Sequence, residues 1–328
     1  MNSLYPLKFT PIISDKIWGG SKLKNILNKK EAGNKAGESW EISSVEGNIS
    51  VVSEGFLKGN NIQELIGIYM GDLVGDKTFE KFGTQFPLLV KFIDANDDLS
   101  IQVHPDDNTA LKRHNSYGKT EMWYVVQADN GTKLISSFKP GIGQDEYLHH
   151  LKNNSLEEIL NEEKTKEGDV FFIPAGRVHA IGAGIIIAEV QQTSDITYRI
   201  YDFNRKDKNG NTRELHTDLA IDVIDFKTYS DYSTPYEKKS NKTVDLVSCQ
   251  YFTTNLIWFD RAVEKDYNFI DSFVIYMCIS GKVLIKYSET EEITLNYGET
   301  VLIPAEIKKL ELIPINESRL LEIYIRED

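Results

Sequence analysis

The sequence predicts a mainly β protein made of two consecutive barrels with a few satellite helices. Short runs rich in Val, Ile, Phe and Tyr, such as F-P-L-L-V-K-F-I, E-M-W-Y-V-V and V-F-F-I-P, recur between Gly, Asn and Asp residues. A chain of 328 residues is longer than one hydrophobic core usually requires, which favours two domains. A β pattern that occurs twice in the chain is the third observation.

The repeated pattern is a strand, a tight turn and a returning strand. The stretch E-G-D-V-F-F-I-P-A-G-R-V-H-A has the same spacing as Y-G-E-T-V-L-I-P-A-E-I-K-K-L near the end of the chain. The equivalent positions in the two copies are Gly168 and Gly298, Pro174 and Pro304, His179 and Lys309, and Glu121 and Phe273. We therefore expect two diverged copies of one β unit, of which the second binds no metal.

The boundary between the two units is expected in a polar segment. From Lys227 to Thr243 the sequence is rich in tyrosine and follows neither the helical nor the strand period. This gives a metal-binding domain with helical satellites over residues 1–228 and a metal-free barrel over residues 229–328.

Three stretches have helical character. The first is N-I-Q-E-L-I-G-I-Y-M near residues 61–70, and the second is S-L-E-E-I-L, which begins with a capping box of Ser155 and Glu158. The third covers residues 213–224 and has apolar side chains at 215, 219, 220 and 223. We expect all three to pack around the β core.

Composition excludes several classes of partner. The 37 basic and 50 acidic side chains give a net charge of −13, and no basic stripe is present that could follow a nucleic acid backbone. A small anionic ligand remains possible because a few cations can form a positive pocket locally. The two cysteines, Cys249 and Cys278, form no C-x-x-C pair, and no signal segment or membrane span is evident. We expect a soluble cytoplasmic protein with no membrane or nucleic acid partner.

Four residues have the types and spacing of metal ligands. His179 follows an apolar strand and the tight turn P-A-G, so its imidazole can point back into a barrel. Gln102 and His104 are two residues apart, which places both side chains on one face of a strand. Glu121 begins another apolar strand. Two imidazoles, a carboxylate and an amide suit Zn²⁺, although Fe²⁺, Mn²⁺ or Co²⁺ could compete.

Each candidate ligand also has a purely structural interpretation. His104 and His179 could be packed in a core, and Glu121 could be a solvated carboxylate at a strand end. Gln102 could hydrogen-bond to the neighbouring backbone. The two acids of H-P-D-D most simply cap the helix that follows, so we assign them no chemistry.

The motifs resemble a known family. The spacing G-x5-P-x-G-x2-H is similar to the second motif of the cupin superfamily, whose members are jelly-roll barrels that hold one metal ion. The usual first cupin motif is absent. Four stretches in order look like type I mannose-6-phosphate isomerase in its short bacterial form: Q-V-H-P-D-D, G-K-T-E-M-W-Y, I-P-A-G-R-V-H-A-I-G-A-G and A-E-V-Q-Q-T-S-D-I-T-Y-R-I-Y-D-F-N-R. The resemblance extends from Trp18 to about Phe226, and the last hundred residues match only in architecture.

The resemblance implies a fold of tandem cupin-type jelly-roll barrels and one zinc ion per chain. The implied ligands are His104, Glu121 and His179, with Gln102 as the fourth. It also places three residues in the substrate cavity, namely the catalytic arginine Arg199, Glu189 and Lys119. An alternative for Arg199 is a structural ion pair with Asp195 or Asp202.

The implied reaction interconverts mannose 6-phosphate and fructose 6-phosphate through an enediol. Such a reaction requires a cation to hold the developing oxyanion, a base to move one proton, and positive groups to hold the phosphate. The sequence does not decide between Glu189 and Lys119 as the base. We expect a small sugar phosphate as the partner of a monomer or weak homo-oligomer.

Two other functions use the same residues. An Fe²⁺-dependent cupin oxygenase would need an apolar substrate pocket, and a non-catalytic sugar-binding barrel would keep the metal only for folding. The lysine and arginine close to the expected metal favour an anionic, hydroxylated substrate.

Overall fold

A computed structural model describes residues 3–206 and 209–326, and within them the chain is mainly β, as predicted. The strands of the first barrel are β1 (Ile12–Gly20), β2 (Ala36–Ile42), β3 (Ser44–Val45), β4 (Asn48–Ile49), β5 (Leu88–Ala95), β6 (Ile101–Val103), β7 (Glu121–Ala128), β8 (Lys133–Phe138), β9 (Leu160–Lys164), β10 (Val170–Ile173), β11 (His179–Ile181), β12 (Ile185–Gln192) and β13 (Tyr198–Tyr201). Those of the second barrel are β14 (Lys242–Ser248), β15 (Thr253–Phe259), β16 (Val263–Asp266), β17 (Val274–Ser280), β18 (Lys282–Lys286), β19 (Glu292–Asn296), β20 (Thr300–Ile303), β21 (Lys309–Pro314) and β22 (Ser318–Tyr324).

The helices are short and lie at the edges of the β core. They are α1 (Lys22–Asn25), α2 (Ile62–Val74), α3 (Asp76–Phe82), α4 (Asp107–His114), α5 (Gln144–Lys152) and α6 (Thr217–Ala220), and a 3-10 helix spans Leu156–Ile159. In the part of the chain that the structure describes, no helix combines the length and apolar character needed to cross a bilayer.

Each barrel has two opposed antiparallel sheets, and β3 and β4 of the first barrel form a separate two-stranded sheet. In the first barrel the strand orders are β1-β2-β5-β12-β7-β10 and β13-β6-β11-β8-β9. In the second they are β14-β15-β22-β17-β20 and β16-β21-β18-β19. The same arrangement therefore occurs twice, which confirms the predicted tandem cupin-type fold.

The two barrels pack back to back through one shared core. Strands β5 and β12 are buried along their whole length because one face lines the first barrel and the other faces the second barrel. This double burial explains why these strands are near-continuous apolar runs rather than alternating patterns. The shared core combines Phe92, Met122 and Val190 of the first barrel with Ile275 and Leu321 of the second.

The start of the chain contacts the second barrel, and the segment that joins the two barrels contacts the first barrel. Leu7 exchanges backbone hydrogen bonds of 2.7 and 2.9 Å with Leu302, so the start of the chain extends a sheet of the second barrel. The fully described stretch 221–241 contains neither a helix nor a strand. Within it, Tyr236 donates a 2.7 Å hydrogen bond to the Gly168 carbonyl and lies against the first barrel. The division at 228/229 falls in this connection and stays a proposal.

The pairing of strands corrects one position of the sequence repeat. Ile173 lies opposite Glu121, and its counterpart Ile303 lies opposite Val274. Val274 therefore occupies the position of Glu121, and the predicted equivalence with Phe273 is wrong by one residue. Because neighbouring residues of a strand face opposite sides, Phe273 points out of the barrel and packs on Phe86 of the first barrel, with ring centroids 4.6 Å apart.

The equivalence of Lys309 with His179 is also wrong by one residue. The side chain of Lys309 is 74% exposed, whereas His179 is fully buried. The inward positions of β21 are taken by Leu310 and Leu312, which belong to the apolar interior of the second barrel. A one-residue difference in the second copy has moved the lysine to the solvent face.

The predicted helices are confirmed in part. Helix α2 begins with a capping box of Asn61 and Glu64 and is interrupted at Met70, where φ is 47°. The capping box at Ser155 is wrong, because its hydroxyl contacts His150 Nδ1 at 2.8 Å and the following 3-10 helix leads directly into β9.

The helix predicted over 213–224 is reduced to α6. His216 and Arg199 exchange backbone-directed hydrogen bonds, in which His216 N–H donates to the Arg199 carbonyl and Arg199 N–H donates to His216 Nδ1. These hydrogen bonds hold the segment before residue 217 against β13, so it does not form a helix. Leu215 and Leu219 remain largely exposed.

We predict that Phe273→Ala lowers the free energy of unfolding by about 3–5 kcal/mol, because it leaves a cavity in the core between the barrels. Phe269→Ala is the matched control, since Phe269 is 98% exposed and its loss should change stability by less than about 0.5 kcal/mol. Urea denaturation of both variants measures the difference. Equal effects would contradict the shared core.

Candidate active site

A polar cavity of about 480 Å³ opens into the first barrel between its two sheets. Its size suits a small ligand. Five of the residues predicted from the sequence line it: Gln102, Lys119, Glu121, Glu189 and Arg199. His104 and His179 lie buried beside Glu121. The structure therefore brings all seven predicted residues to one region.

The centre of this region is a cluster of His104, Glu121 and His179, whose potential ligand atoms all lie within 4.8 Å of one another. His104 Nε2 is 3.0 Å from Glu121 Oε1, and His179 Nε2 is 3.9 Å from Glu121 Oε2. Among the described residues, neither Glu121 oxygen nor His104 Nε2 has a hydrogen-bond partner. Because buried polar atoms are rarely left unpaired, this cluster fits a bound cation.

The backbone orients both imidazoles toward Glu121. His104 Nδ1 lies 2.9 Å from the Ile196 carbonyl, and His179 Nδ1 lies 2.8 Å from the Arg177 carbonyl. A carbonyl can only accept, so each Nδ1 carries the hydrogen and each Nε2 keeps a free lone pair. These contacts select the tautomer that a metal ligand requires.

Burial keeps the two imidazoles neutral. It lowers the pKa of His104 well below its usual value, and the nearby Lys119 ammonium lowers that pKa further. Burial also lowers the pKa of His179, although the Glu121 carboxylate opposes this effect. Neutral imidazoles are the form that binds a metal ion.

Strand pairing explains why residues distant in sequence face the same space. Gln102 on β6 lies directly between His179 on β11 and Arg199 on β13. Residues directly opposite in antiparallel strands project to the same face, so all three side chains point inward. The Gln102 amide is 3.3 Å from His179 Nε2, and rotation of the amide places its carbonyl oxygen at the same point.

The turn before His179 is hydrogen-bonded to the other histidine, which directly follows β6. Gly176 N–H donates a 2.9 Å hydrogen bond to the His104 carbonyl. Gly176 has a φ of 89°, and a Cβ at this position would lie 2.9 Å from the Val223 carbonyl oxygen. The turn requires glycine for both reasons, and it fixes the spacing of the two histidines.

Glu189 lies in a row of inward side chains across the other sheet. The row runs through adjacent strands in the order Trp40, Lys91, Glu189 and Trp123. Trp123 Nε1 donates a 2.7 Å hydrogen bond to Glu189 Oε1, and Lys91 Nζ is 2.8 Å from Oε2. Burial raises the pKa of Glu189, and the charge of Glu121 adds to this effect.

Lys91, Glu38 and Lys16 extend this charged wall and were not predicted from the sequence. Burial acts to raise the pKa of Glu38, but the charges of Lys91 and Lys16 outweigh it and hold the value at about 2. Burial acts to lower the pKa of Lys91, but Glu189 and Glu38 outweigh it and raise the value. The sequence feature that could have indicated Lys91 is its position as the single charged residue of the apolar run F-P-L-L-V-K-F-I.

Arg199 is held by neutral oxygens. Its Nε lies 3.3 Å from Ser100 Oγ, and its Nη1 donates a 2.9 Å hydrogen bond to the Glu214 carbonyl. Among the described residues, no carboxylate lies within 4.0 Å of its guanidinium. Asp202 instead binds Arg205 and Arg213, so the alternative of a structural ion pair is wrong.

The environment of Arg199 is electropositive. Burial lowers the pKa of Arg199, and the positive charge of Arg213 lowers it further. Arg213 and Lys16 also line the cavity. Lys119 is only 5% exposed, and its Nζ is 3.5 Å from Glu121 Oε1. The cavity lining holds five cations and four carboxylates, and Arg199 is the cation whose guanidinium has no carboxylate within 4.0 Å among the described residues, so an anionic group could bind beside it.

The first barrel therefore combines a cupin-type β fold with a charged cavity and a buried His–Glu–His cluster that could bind a metal ion. The family model for the phosphomannose isomerase type I catalytic domain matches residues 6–130. A mannose-6-phosphate isomerase of Streptococcus mutans is 34% identical over 304 residues, which cover 92% of this chain and 93% of that protein. The mannose-6-phosphate isomerase ManA of Bacillus subtilis is 33% identical over 305 residues, which cover 89% and 93%.

Solved structures agree with the sequence comparisons. The crystal structure of the mannose 6-phosphate isomerase from Bacillus subtilis superposes with a TM-score of 0.88 at 29% identity, covering 98% of this chain and all of that one. A putative mannosephosphate isomerase from Archaeoglobus fulgidus has a TM-score of 0.80 at 22% identity and shares the fold. This chain belongs to the type I mannose-6-phosphate isomerase family.

We predict that Lys91→Met destabilises the metal-free protein by about 3–5 kcal/mol, because it leaves the buried Glu189 carboxylate without its cation. The double variant with Glu189→Gln should recover part of this loss. Lys133→Met is the control, since its ion pair with Glu162 is half exposed and worth at most about 1 kcal/mol. Urea denaturation at pH 7 measures all three, and a Lys91 effect no larger than the control would contradict the buried pair.

Proposed function

We propose that this chain interconverts mannose 6-phosphate and fructose 6-phosphate with one Zn²⁺ bound per chain. The observation that carries the proposal is the convergence of His104, Glu121 and His179 on one buried point. This point lies beside a cavity whose wall carries Lys91, Lys119 and Arg199. Family membership favours this reaction over others that use the same ligands.

The donor set suits zinc. Two neutral imidazole nitrogens, a carboxylate and the Gln102 amide oxygen provide four donors of borderline character. Iron, manganese and cobalt accept the same donors, so the metal identity rests on the absence of any redox step in the reaction. When bound, the ion supplies a Lewis acid that stabilises negative charge on the sugar oxygens.

The cations of the chain bind and orient the phosphate end of the substrate. The Arg199 guanidinium is fixed by Ser100 and the Glu214 carbonyl, and it presents parallel N–H donors suited to a phosphate. Arg213 and Lys16 line the same cavity, where they are paired with Asp202 and Glu38, respectively. These residues would place C1 and C2 of the sugar near the buried cluster.

Proton transfer between C1 and C2 is assigned to Glu189 and Lys119. The Glu189 carboxylate is held by Trp123 and Lys91, and burial raises its pKa toward the range of an effective general base. The Lys119 ammonium lies next to Glu121, where it can donate to a sugar oxygen as negative charge develops on it. In this assignment Glu189 would take the proton from C2 and return it to C1, while Lys119 would give a proton to O1 and recover one from the O2 hydroxyl, so that both residues end in their starting protonation states.

The charged cavity argues against the two alternative functions. An oxygenase substrate pocket would be mainly apolar, whereas this cavity is lined by Lys16, Lys91, Lys119, Arg199 and Arg213. A binding protein without catalysis would not require a buried carboxylate such as Glu189 with a raised pKa beside the ligand.

We predict that dialysis against a chelator lowers the rate of fructose 6-phosphate formation from mannose 6-phosphate by at least about 100-fold, and that one equivalent of Zn²⁺ restores it. His179→Ala should fail to bind the zinc and should not be restored. His149→Ala is the control, because His149 is an exposed helical residue. The zinc content of each protein and its rate of fructose 6-phosphate formation in a coupled assay are measured together. Full activity of the metal-free protein would contradict the proposal.

A further inference from the structure

The loop that carries Lys119 is held by hydrogen bonds to two side chains and to the backbone of Pro105 and Gln192. Residues 117–120 precede β7 and belong to neither a helix nor a strand. Gly118 N–H donates to Asp107 Oδ1 at 2.9 Å, and Lys119 N–H donates to the Pro105 carbonyl at 3.2 Å. Thr120 N–H donates to Gln192 Oε1 at 2.9 Å. Three successive amides are thus tied to groups outside the loop.

Asp107 is the residue that joins these contacts. Its Oδ1 accepts from Gly118 N–H and also from Gln192 Nε2 at 2.8 Å. Its Oδ2 accepts from the hydroxyl of Tyr251 at 2.7 Å. The neighbouring Asp106 caps α4 by accepting from Thr109 N–H at 2.8 Å, as expected from the sequence. The same expectation is wrong for Asp107, whose carboxylate faces the loop instead.

Tyr251 belongs to the second barrel, in the turn between β14 and β15. Its hydroxyl reaches across to the first barrel and contacts the carboxylate that holds the loop. Burial raises the pKa of Tyr251, and the hydrogen bond to Asp107 adds to this effect, so the hydroxyl keeps its proton and donates it. The contact links the barrel that lacks the His–Glu–His cluster to the loop beside that cluster.

The loop is buried at Gly118, Lys119 and Thr120 but borders a cavity at Tyr117. A cavity of about 590 Å³ lies between the barrels and is lined by Asp107, Tyr117, Gln192 and Tyr251. Side-chain packing on this side of the loop is therefore incomplete. At Gly118 the approach is close, because a Cβ there would lie 2.6 Å from the Asp107 backbone nitrogen.

We infer that Tyr251 of the second barrel, acting through Asp107, positions Lys119 for the reaction in the first barrel. Tyr251 and Asp107 touch no substrate and are positioning residues. The inference rests on the proposed function in one respect, the assignment of Lys119 as a donor to the reacting sugar. It gives the second barrel a role in turnover in addition to its contribution to the shared core.

The first test measures the loop directly and needs no activity. Amide hydrogen exchange in the peptide spanning residues 116–121 should become at least about 10-fold faster in Asp107→Ala, with a smaller increase in Tyr251→Phe. Tyr229→Phe is the matched control, because the Tyr229 hydroxyl also donates to an aspartate, Asp225, outside the loop. Unchanged exchange in Asp107→Ala and Tyr251→Phe would overturn the inference whatever the enzyme does.

The second test uses zinc-loaded full-length protein and compares kcat with KM. Asp107→Ala should lower kcat for fructose 6-phosphate formation by about 10- to 100-fold with full zinc content and little change in KM, since misplacing a group by about 1 Å has effects of this size. Tyr251→Phe should lower kcat about 3- to 10-fold. Asp107→Asn should retain most of the activity, because its amide oxygen can still accept from Gly118.

A double variant shows whether Asp107 acts through Lys119. In a Lys119→Ala background, Asp107→Ala should lower kcat less than about 2-fold further, because the positioned group is already gone. Equal fold-changes in both backgrounds would overturn the positioning role while leaving the proposed function intact. If Lys119→Ala alone leaves kcat unchanged, the assignment of Lys119 under the proposed function fails, and the inference falls with it.

Discussion

The site depends on one buried carboxylate placed between two imidazoles. Glu121 is 1% exposed, and burying a charged carboxylate is strongly unfavourable unless a cation or hydrogen-bond donors compensate. The backbone contacts of His104 and His179 turn a lone pair, not an N–H, toward this carboxylate. Within the chain, the Lys119 ammonium lies 3.5 Å from Glu121 Oε1 and compensates the carboxylate only in part, so the cluster could bind a divalent ion.

The fold meets this constraint by joining two sheets. Glu121 lies on the sheet that packs against the second barrel, whereas Gln102 and His179 lie on the opposite sheet. These candidate ligand residues can converge only if the two sheets keep a fixed separation. This separation is maintained by the shared core behind Glu121 and by the turn at Gly176, which is hydrogen-bonded to His104. Packing far from the cavity therefore contributes to the geometry of the cavity.

The two barrels use equivalent positions for different purposes. Glu322 in the second barrel occupies the position of Glu189, and the residues opposite them are Tyr276 and Asn255 in the second barrel and Trp123 and Lys91 in the first. Glu322 is satisfied by the Asn255 amide at 2.9 Å and by Lys265 at 2.7 Å, and it also accepts from Tyr267. The interior of the second barrel holds an apolar cluster that includes Leu310 and Leu312, whereas that of the first contains the polar cavity.

The sequence predicted the metal-type residues because strand period and turn chemistry are local. The roles of residues that depend on pairing between distant strands could not be predicted from the sequence. In the sequence, Lys91 is a single charged residue within an apolar strand. Its ion pair with Glu189 becomes evident only from the pairing of the two strands in the sheet. The errors at Phe273 and Lys309 have the same origin, because a one-residue slip reverses the face of a strand without changing its apolar pattern.

We propose that one divalent ion is bound by residues from both sheets of the first barrel. Anomalous diffraction at the zinc absorption edge from crystals of the zinc-loaded protein would test this proposal. We expect one peak per chain, about 2.0–2.2 Å from His104 Nε2, His179 Nε2 and a Glu121 oxygen. A peak bound by other residues, or none at this cluster in fully active protein, would contradict it.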